Sequence, residues 1–169
     1  MENIIGNYEV FWSDIYNRLK EFDIDITGCD LSHLGVRADS FELYEQMREK
    51  LMQFCSHYCE GVHNGRKIAK LVLKNPLILE GGFSVSLIEL MPPKPNRNYK
   101  TGLEHAGVVI GKSLDRFAHK YRDKLTGRQN QSPICQPYFI KFDNEKRVKF
   151  YDISLRDVVE GEGQIFKVI

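Results

Sequence analysis

No apolar run in this chain is long enough to span a bilayer, so a helical membrane anchor is not expected. Neither sign of charge is in excess. Lys and Arg number 24 and Asp and Glu 23, which removes the bulk attraction that draws basic proteins to nucleic acid or anionic membrane. Cysteine is scarce, with four in 169 residues. The start, Met1-Glu2-Asn3-Ile4-Ile5-Gly6-Asn7, lacks a basic segment followed by an apolar one. Together these lead to an expectation of reduced thiols and a cytoplasmic location. Proline is also sparse, but three of the six fall within Pro92-Pro93-Lys94-Pro95, where regular structure is blocked. Hydrophobic residues make up 42%, enough for one domain with a sizeable core.

What is present is a repeat. Asp30-Leu31-Ser32-His33-Leu34-Gly35-Val36-Arg37 resembles Gly102-Leu103-Glu104-His105-Ala106-Gly107-Val108-Val109. Leu, His, Gly and Val recur in matching places, so a metal-capable imidazole is duplicated along with its surroundings. A duplicated unit suggests two halves that close around one site, because a single strand-helix-strand unit cannot bury both faces of its sheet.

The elements around the repeat follow the same logic. Tyr8, Phe11, Trp12, Ile15, Leu19 and Phe22 recur at helical spacing and predict an N-terminal helix. Residues 31–37 read as a strand. Phe41, Leu43, Tyr44, Met47, Leu51 and Phe54 predict a helix ending near Gly61, with Asn64-Gly65 as a turn. Strands are expected at 66–73, 77–79 and 83–90, with a turn at Asn75-Pro76. In the second half, a strand over 103–110 precedes a helix from Ser113, a polar loop over 126–137, and strands at 137–142 and 147–152. Ser154-Leu155-Arg156-Asp157 fits a capping box.

Alternation along a strand puts His33, Gly35 and Arg37 on one face, and His105 and Gly107 on the equivalent face of the other copy. Glu89 ends an apolar strand, where a carboxylate is costly to bury unless it meets a cation or donors. Two imidazoles and one carboxylate suit a divalent transition ion such as Zn, Mn, Ni or Fe(II). Glu104 alternates away from His105 and is expected to face the helix side or an edge. Cys55, Cys59 and His63 would line one face if helical. That spacing is not a common zinc-finger pattern, and packed thiols are the favoured reading. Cys135 offers no nucleophile argument.

Taken together, His33-Leu34-Gly35-Val36-Arg37, Asn64-Gly65-Arg66-Lys67-Ile68, Ile88-Glu89-Leu90-Met91-Pro92 and Tyr99-Lys100-Thr101-Gly102-Leu103-Glu104-His105 resemble the YecM family. Its fold belongs to the vicinal oxygen chelate superfamily of glyoxalases, bleomycin-resistance proteins and extradiol dioxygenases. The resemblance spans about residues 30–157. It implies an α+β fold of two βαβββ modules forming a cup-shaped, partly open barrel with an added N-terminal helix. The corresponding division is an extension at 1–28, modules at 29–91 and 102–153, a connector at 92–101 and a tail at 154–169. It also implies metal ligands on the first and last strands of each module. His33, Glu89 and His105 fall on three of those four positions. At the fourth, where the family pattern usually has histidine after the Phe, this chain has Tyr151. Asp152 is the alternative, and Tyr151 is preferred as the fourth ligand. Arg37, which breaks the pseudo-symmetry against Val109, is a candidate anchor for a substrate carboxylate or phosphate, or else one half of a strand-end salt bridge to Asp39 or Glu104.

The implied activity is that of a metal-dependent enzyme acting on a small oxygen-rich organic substrate by isomerase, lyase or oxygenase chemistry. Glu89 serves as ligand or base. The alternative is a protein of the same fold that binds or sequesters a small ligand without catalysis. The expected partner is a small molecule, with no nucleic acid or membrane, and the chain acts as monomer or homodimer.

Overall fold

The computed structural model describes residues 1–63 and 65–169. A short helix α1 (Glu2–Ile5) leads into α2 (Tyr8–Glu21). The Asn7 side chain caps α2 by accepting from the Val10 N–H at 2.8 Å. The predicted apolar stripe is the buried one: Phe11, Trp12, Ile15 and Leu19 lie in the core. Trp12 fixes the helix against the loop that precedes the last strand of the first half. Its indole N–H donates to the Glu80 carbonyl at 3.0 Å, and its ring meets Phe83 edge-on.

The first half then runs β1 (Asp30–Arg37), α3 (Phe41–Met52), β2 (Cys55–His63), β3 (Arg66–Ile78) and β4 (Ser84–Met91). The second runs β5 (Gly102–Val109), α4 (Leu114–Lys120), β6 (Gly127–Arg128), β7 (Tyr138–Lys141) and β8 (Arg147–Tyr151). A helix α5 (Leu155–Gly161) and a short strand β9 (Lys167–Val168) follow. Residues 92–101 contain no helix or strand, as the prolines require.

Among the described residues the strands form one nine-stranded open sheet in the order β6-β7-β8-β5-β1-β4-β3-β2-β9. In each half the first strand pairs parallel with the last, β1 with β4 and β5 with β8, and the halves join through antiparallel pairing of β1 with β5. The sheet does not close on itself, and the fold is α+β. One face carries Leu34, Val36, Ile88, Leu90, Ala106, Val108, Val148 and Phe150 into a core shared with α2, α3 and α4. The opposite face carries the two histidines.

Three local expectations are corrected. Helix α3 ends at Met52, and residues 55–63 form a strand rather than a helical continuation to Gly61. Pairing with β3 on one side and β9 on the other outweighs helical propensity here. Cys55 therefore faces the main core, and Cys59 packs in a separate cluster with Val72, Leu87, Leu155 and Val159. They do not share a helical face. Strand β3 runs through Asn75-Pro76 without turning, and its register against β4 shifts between Val72 and Leu77. An irregularity of this kind tolerates proline in a strand. The expected turn at Asn64-Gly65 falls partly on Asn64, outside the described residues; Gly65 has a φ of +72°.

Candidate metal centre

The central strand pair positions both histidines. In the β1–β5 register, His33 sits opposite Gly107 and His105 opposite Gly35. Each imidazole thus lies across the glycine of the other repeat. A Cβ added at Gly107 would stand 2.5 Å from His33 Cε1 and 3.1 Å from the Tyr151 ring, and one added at Gly35 would overlap the His105 ring. The His-x-Gly motif is one device used twice: each copy supplies a ring and the seat for the ring of the other.

Glu89 arrives from β4, whose parallel register places it beside Gly35. Its Oε2 is 3.2 Å from His105 Nε2 and 4.0 Å from His33 Nε2, and the two Nε2 atoms are 3.2 Å apart. The three donor atoms fall within 4.8 Å of one another. Ligands on bonds of about 2.0–2.1 Å to a shared ion stand roughly 3.3 Å apart in tetrahedral geometry, close to the two shorter edges. Both histidines are fully buried.

The bulges set the outer ring of contacts. Between Leu31 and His33 the register gains one residue on β1, and between Gly35 and Val36 it gains one on β5. The extra residues are Ser32 and Glu104, each immediately before its histidine. A bulge suspends strict alternation, so each side chain reaches the Nδ1 side of the following ring. Ser32 Oγ lies 2.9 Å from His33 Nδ1 and accepts the Leu155 N–H at 2.7 Å, tying the site to the first turn of α5. The capping box at Ser154 and Asp157 anchors that turn. On the other side Glu104 Oε1 stands 3.7 Å from His105 Nδ1, which is buried and has no hydrogen-bond partner. At 3.7 Å the contact is electrostatic, not a hydrogen bond. A ring oriented through Nδ1 keeps its Nε2 lone pair free for an ion. The orphaned Nδ1, the two buried imidazoles and the carboxylate fit a divalent transition metal.

Arg37 faces this site, with its guanidinium engaged. Its Nε and Nη2 donate to Glu104 at 2.8 and 3.0 Å, and its Nη1 donates to the Pro92 carbonyl at 2.8 Å. Of the sequence alternatives, the geometry is that of the salt bridge to Glu104. The reading of Glu104 as turned away from the cavity is corrected by its bulge.

Tyr151 is buried beside His33, ring centroids 5.4 Å apart. Burial drives its hydroxyl well above the ordinary tyrosine range, so without a metal it stays a neutral phenol. Asp152 is exposed and its carboxylate accepts the Ile153 N–H. Neither is the register equivalent of Glu89. Strand β8 sets Lys149 beside Gly107 as β4 sets Glu89 beside Gly35. The fourth corner holds a lysine. Matching Ile88-Glu89-Leu90 to Tyr151-Asp152-Ile153 in sequence slips this register by three residues.

Charge around the centre follows from burial. Burial pulls the His33 imidazole down to about 3; Glu89 opposes this, while His105 and Lys149 reinforce it. Burial alone would raise Glu89, but His105, His33 and Lys149 together hold it below the usual carboxylate range. His33 is therefore neutral and Glu89 ionised at pH 7, the forms that bind metal. A stability consequence follows for metal-free protein. Because the folded pKa of His33 lies below its unfolded value of 6.5, the unfolded chain gains a proton as pH falls through 6.5 and the folded chain does not. Stability is then lost on acidification, by about 2 kcal/mol between pH 7 and 5. Urea melts at the two pH values check this, and His33→Gln should flatten the difference. An unchanged slope in that variant would assign the proton uptake elsewhere.

The site opens into a cavity of about 330 Å³. Arg66, Ile68 and Lys70 line it from alternate positions of β3, Arg147 and Lys149 from β8, and Leu155 and Val158 from α5. Cys135 also lines it, and burial pushes its thiol up to about 12, which keeps it protonated at neutral pH.

Comparison with known proteins agrees with this architecture. An uncharacterised protein of Haemophilus influenzae is 29% identical over 101 residues, 60% of this chain and 52% of that protein. The match thus spans about half of the relative's length. The solved structure of a protein designated EC4020 superposes with a TM-score of 0.73 at 20% identity, covering 89% of this chain and 86% of that one. The fosfomycin resistance protein FosX from Listeria monocytogenes, complexed with Mn(II), is similar at a TM-score of 0.31 and 12% identity, over 82% of this chain and 99% of that one. That likeness is too distant to carry its chemistry over. A family model described as YecM protein matches residues 1–147, and the chain belongs to the YecM family.

Proposed function

We propose that this chain is a metal-dependent enzyme that binds a small organic substrate at the face shared by its two repeats. The observation that carries the reading is the convergence of His33, Glu89 and His105 within 4.8 Å. These residues would hold a divalent transition ion, Zn, Mn, Ni or Fe(II). Bound there, the ion would supply Lewis-acid polarisation of a substrate oxygen. The rest falls to the protein. The His33 ring is neutral at pH 7, and Glu89 brings a negative charge to the site. The Glu89 carboxylate, ionised at neutral pH, either stays with the two rings or accepts a proton from bound substrate. Arg37 acts as a positioning residue, because its guanidinium holds Glu104 behind His105. Isomerase, lyase and oxygenase reactions all remain open to such a site.

Lys149 at the fourth corner favours one second reading, a non-catalytic cup that holds a ligand. Elemental mass spectrometry separates the two. Under the enzyme reading, purified chain takes up about one transition ion per site, and a His33→Ala, His105→Ala double variant retains none. A wild-type protein that takes up none of the four ions would leave only the ligand-holding reading.

A further inference from the structure

Three cations on the cavity wall make no close ion pair among the described residues. Lys149 is 5% exposed, Lys70 6% and Arg66 8%. No carboxylate stands within 4.0 Å of any of them among the described residues, and Arg66 Nη1 is buried without a hydrogen-bond partner. All three line the cavity that contains Glu89. Their placement is regular: Arg66 and Lys70 share a face of β3, Lys70 pairs directly with Glu89, and Lys149 faces in from the equivalent of the Glu89 position in the other repeat. The nearby Glu104 is already held by Arg37. Buried charges held by no close partner are disfavoured; burial lowers both the Lys149 and Arg66 side chains from their ordinary ranges, and Glu89 and Glu104, acting at longer range, offset this only in part. Bringing a divalent ion next to them makes the imbalance worse. An occupant carrying negative charge corrects it.

We propose that Arg66, Lys70 and Lys149 form an anion-binding subsite beside the metal centre, and that the substrate is a small organic dianion, a phosphorylated or dicarboxylate compound. The assignment to a substrate rests on the enzyme reading above; the anion subsite itself does not. Its charge would be shared between the lysines and Arg66 on the cavity wall, leaving another oxygen of the same molecule facing His33, Glu89 and His105.

The test is isothermal titration of the metal-free full chain with inorganic phosphate, with malonate, and with acetate as the monoanionic control. We expect phosphate or malonate to bind at least tenfold more tightly than acetate, and the stronger of the two names the source. Lys149→Met and Lys70→Met should each weaken that binding at least tenfold. Because each variant removes a buried cation that has no close ion pair, each should also melt at a higher temperature than wild type without ligand, which excludes misfolding as the cause. Phosphate should tighten metal binding about fivefold or more, and metal should tighten phosphate by the same factor. The subsite is overturned if wild type binds neither dianion in preference to acetate, or if both variants bind as wild type does. Metal uptake, measured separately, distinguishes the two ideas. Dianion binding without metal leaves the subsite standing and removes the enzyme reading, whereas metal without dianion binding removes only the subsite.

Discussion

Glu104→Ala is expected to destabilise the protein by about 3–5 kcal/mol, the range for removing one partner of a buried ion pair. The Arg37 side chain is 4% exposed, and both of its contacts to Glu104 are short, at 2.8 and 3.0 Å. Without the carboxylate the guanidinium keeps the Pro92 carbonyl and the face of the Tyr99 ring, but stays buried with its charge uncompensated. Urea denaturation measures the loss. Two companion variants and a second measurement test its cause. Glu104→Gln, which keeps the shape and some acceptor capacity, should lose less. Arg37→Met added to Glu104→Ala should recover part of the stability, because the stranded charge is gone. Glu104→Ala should also weaken metal binding by about 10- to 100-fold, the usual cost of removing a carboxylate behind a ligating histidine. A full loss of stability with unaltered metal affinity would assign Glu104 to the fold alone. Acid acts on the same pair. Burial alone would raise the Glu104 carboxyl, but His105 and Arg37 hold it far below the usual range. Its contribution is therefore present above its unfolded pKa of about 4.5 and fades as pH drops below that.

Gly35→Ala is expected to disable the centre from the opposite side. The new methyl would occupy the space of the His105 ring. That ring is fully buried in the central strand pair, so it has no free space to retreat into. Overpacking of this kind costs about 1–3 kcal/mol, and expulsion of His105 should lower metal affinity on the order of a hundredfold or more. Gly107→Ala should act in the same way through His33 and Tyr151. The control is Gly61→Ala, also in a strand, where the nearest atoms to the added Cβ are those of the amide end of Gln164. That flexible end can swing aside, and the change should stay within about 1 kcal/mol. Competition against a chelating dye measures affinity and thermal melts measure stability. Wild-type metal affinity in both glycine variants would show that the seats do not position the ligands.

Much of this site is written locally in the chain. The repeat His-x-Gly-Val is visible by inspection, and the alternation of a strand then puts each histidine and its glycine on one face. Glu89 stands out because a carboxylate ends an apolar strand. The N-terminal helix and the capping box at Ser154 follow from side-chain period and from a hydroxyl three residues ahead of a carboxylate. Even Arg66 and Lys70 had a signal: cations alternating with apolar residues in a strand whose other face is core. Their significance was missed because the same pattern describes an exposed strand face, and only the fold makes that face the wall of a cavity.

The sequence by itself determined the duplication, the two imidazoles, the carboxylate and the apolar faces that bury them. All of these depend on which residues lie two, three or four places apart on one strand or helix. The tertiary structure decided the rest. It made residues 55–63 a strand because neighbours lie on both sides, turned Ser32 and Glu104 towards the histidines through bulges, engaged Arg37 with Glu104, and set Lys149 at the register equivalent of Glu89. Each of these is a matter of register. Register is fixed by the partner strand, and a shift of one residue between two strands reverses which side chains face the site.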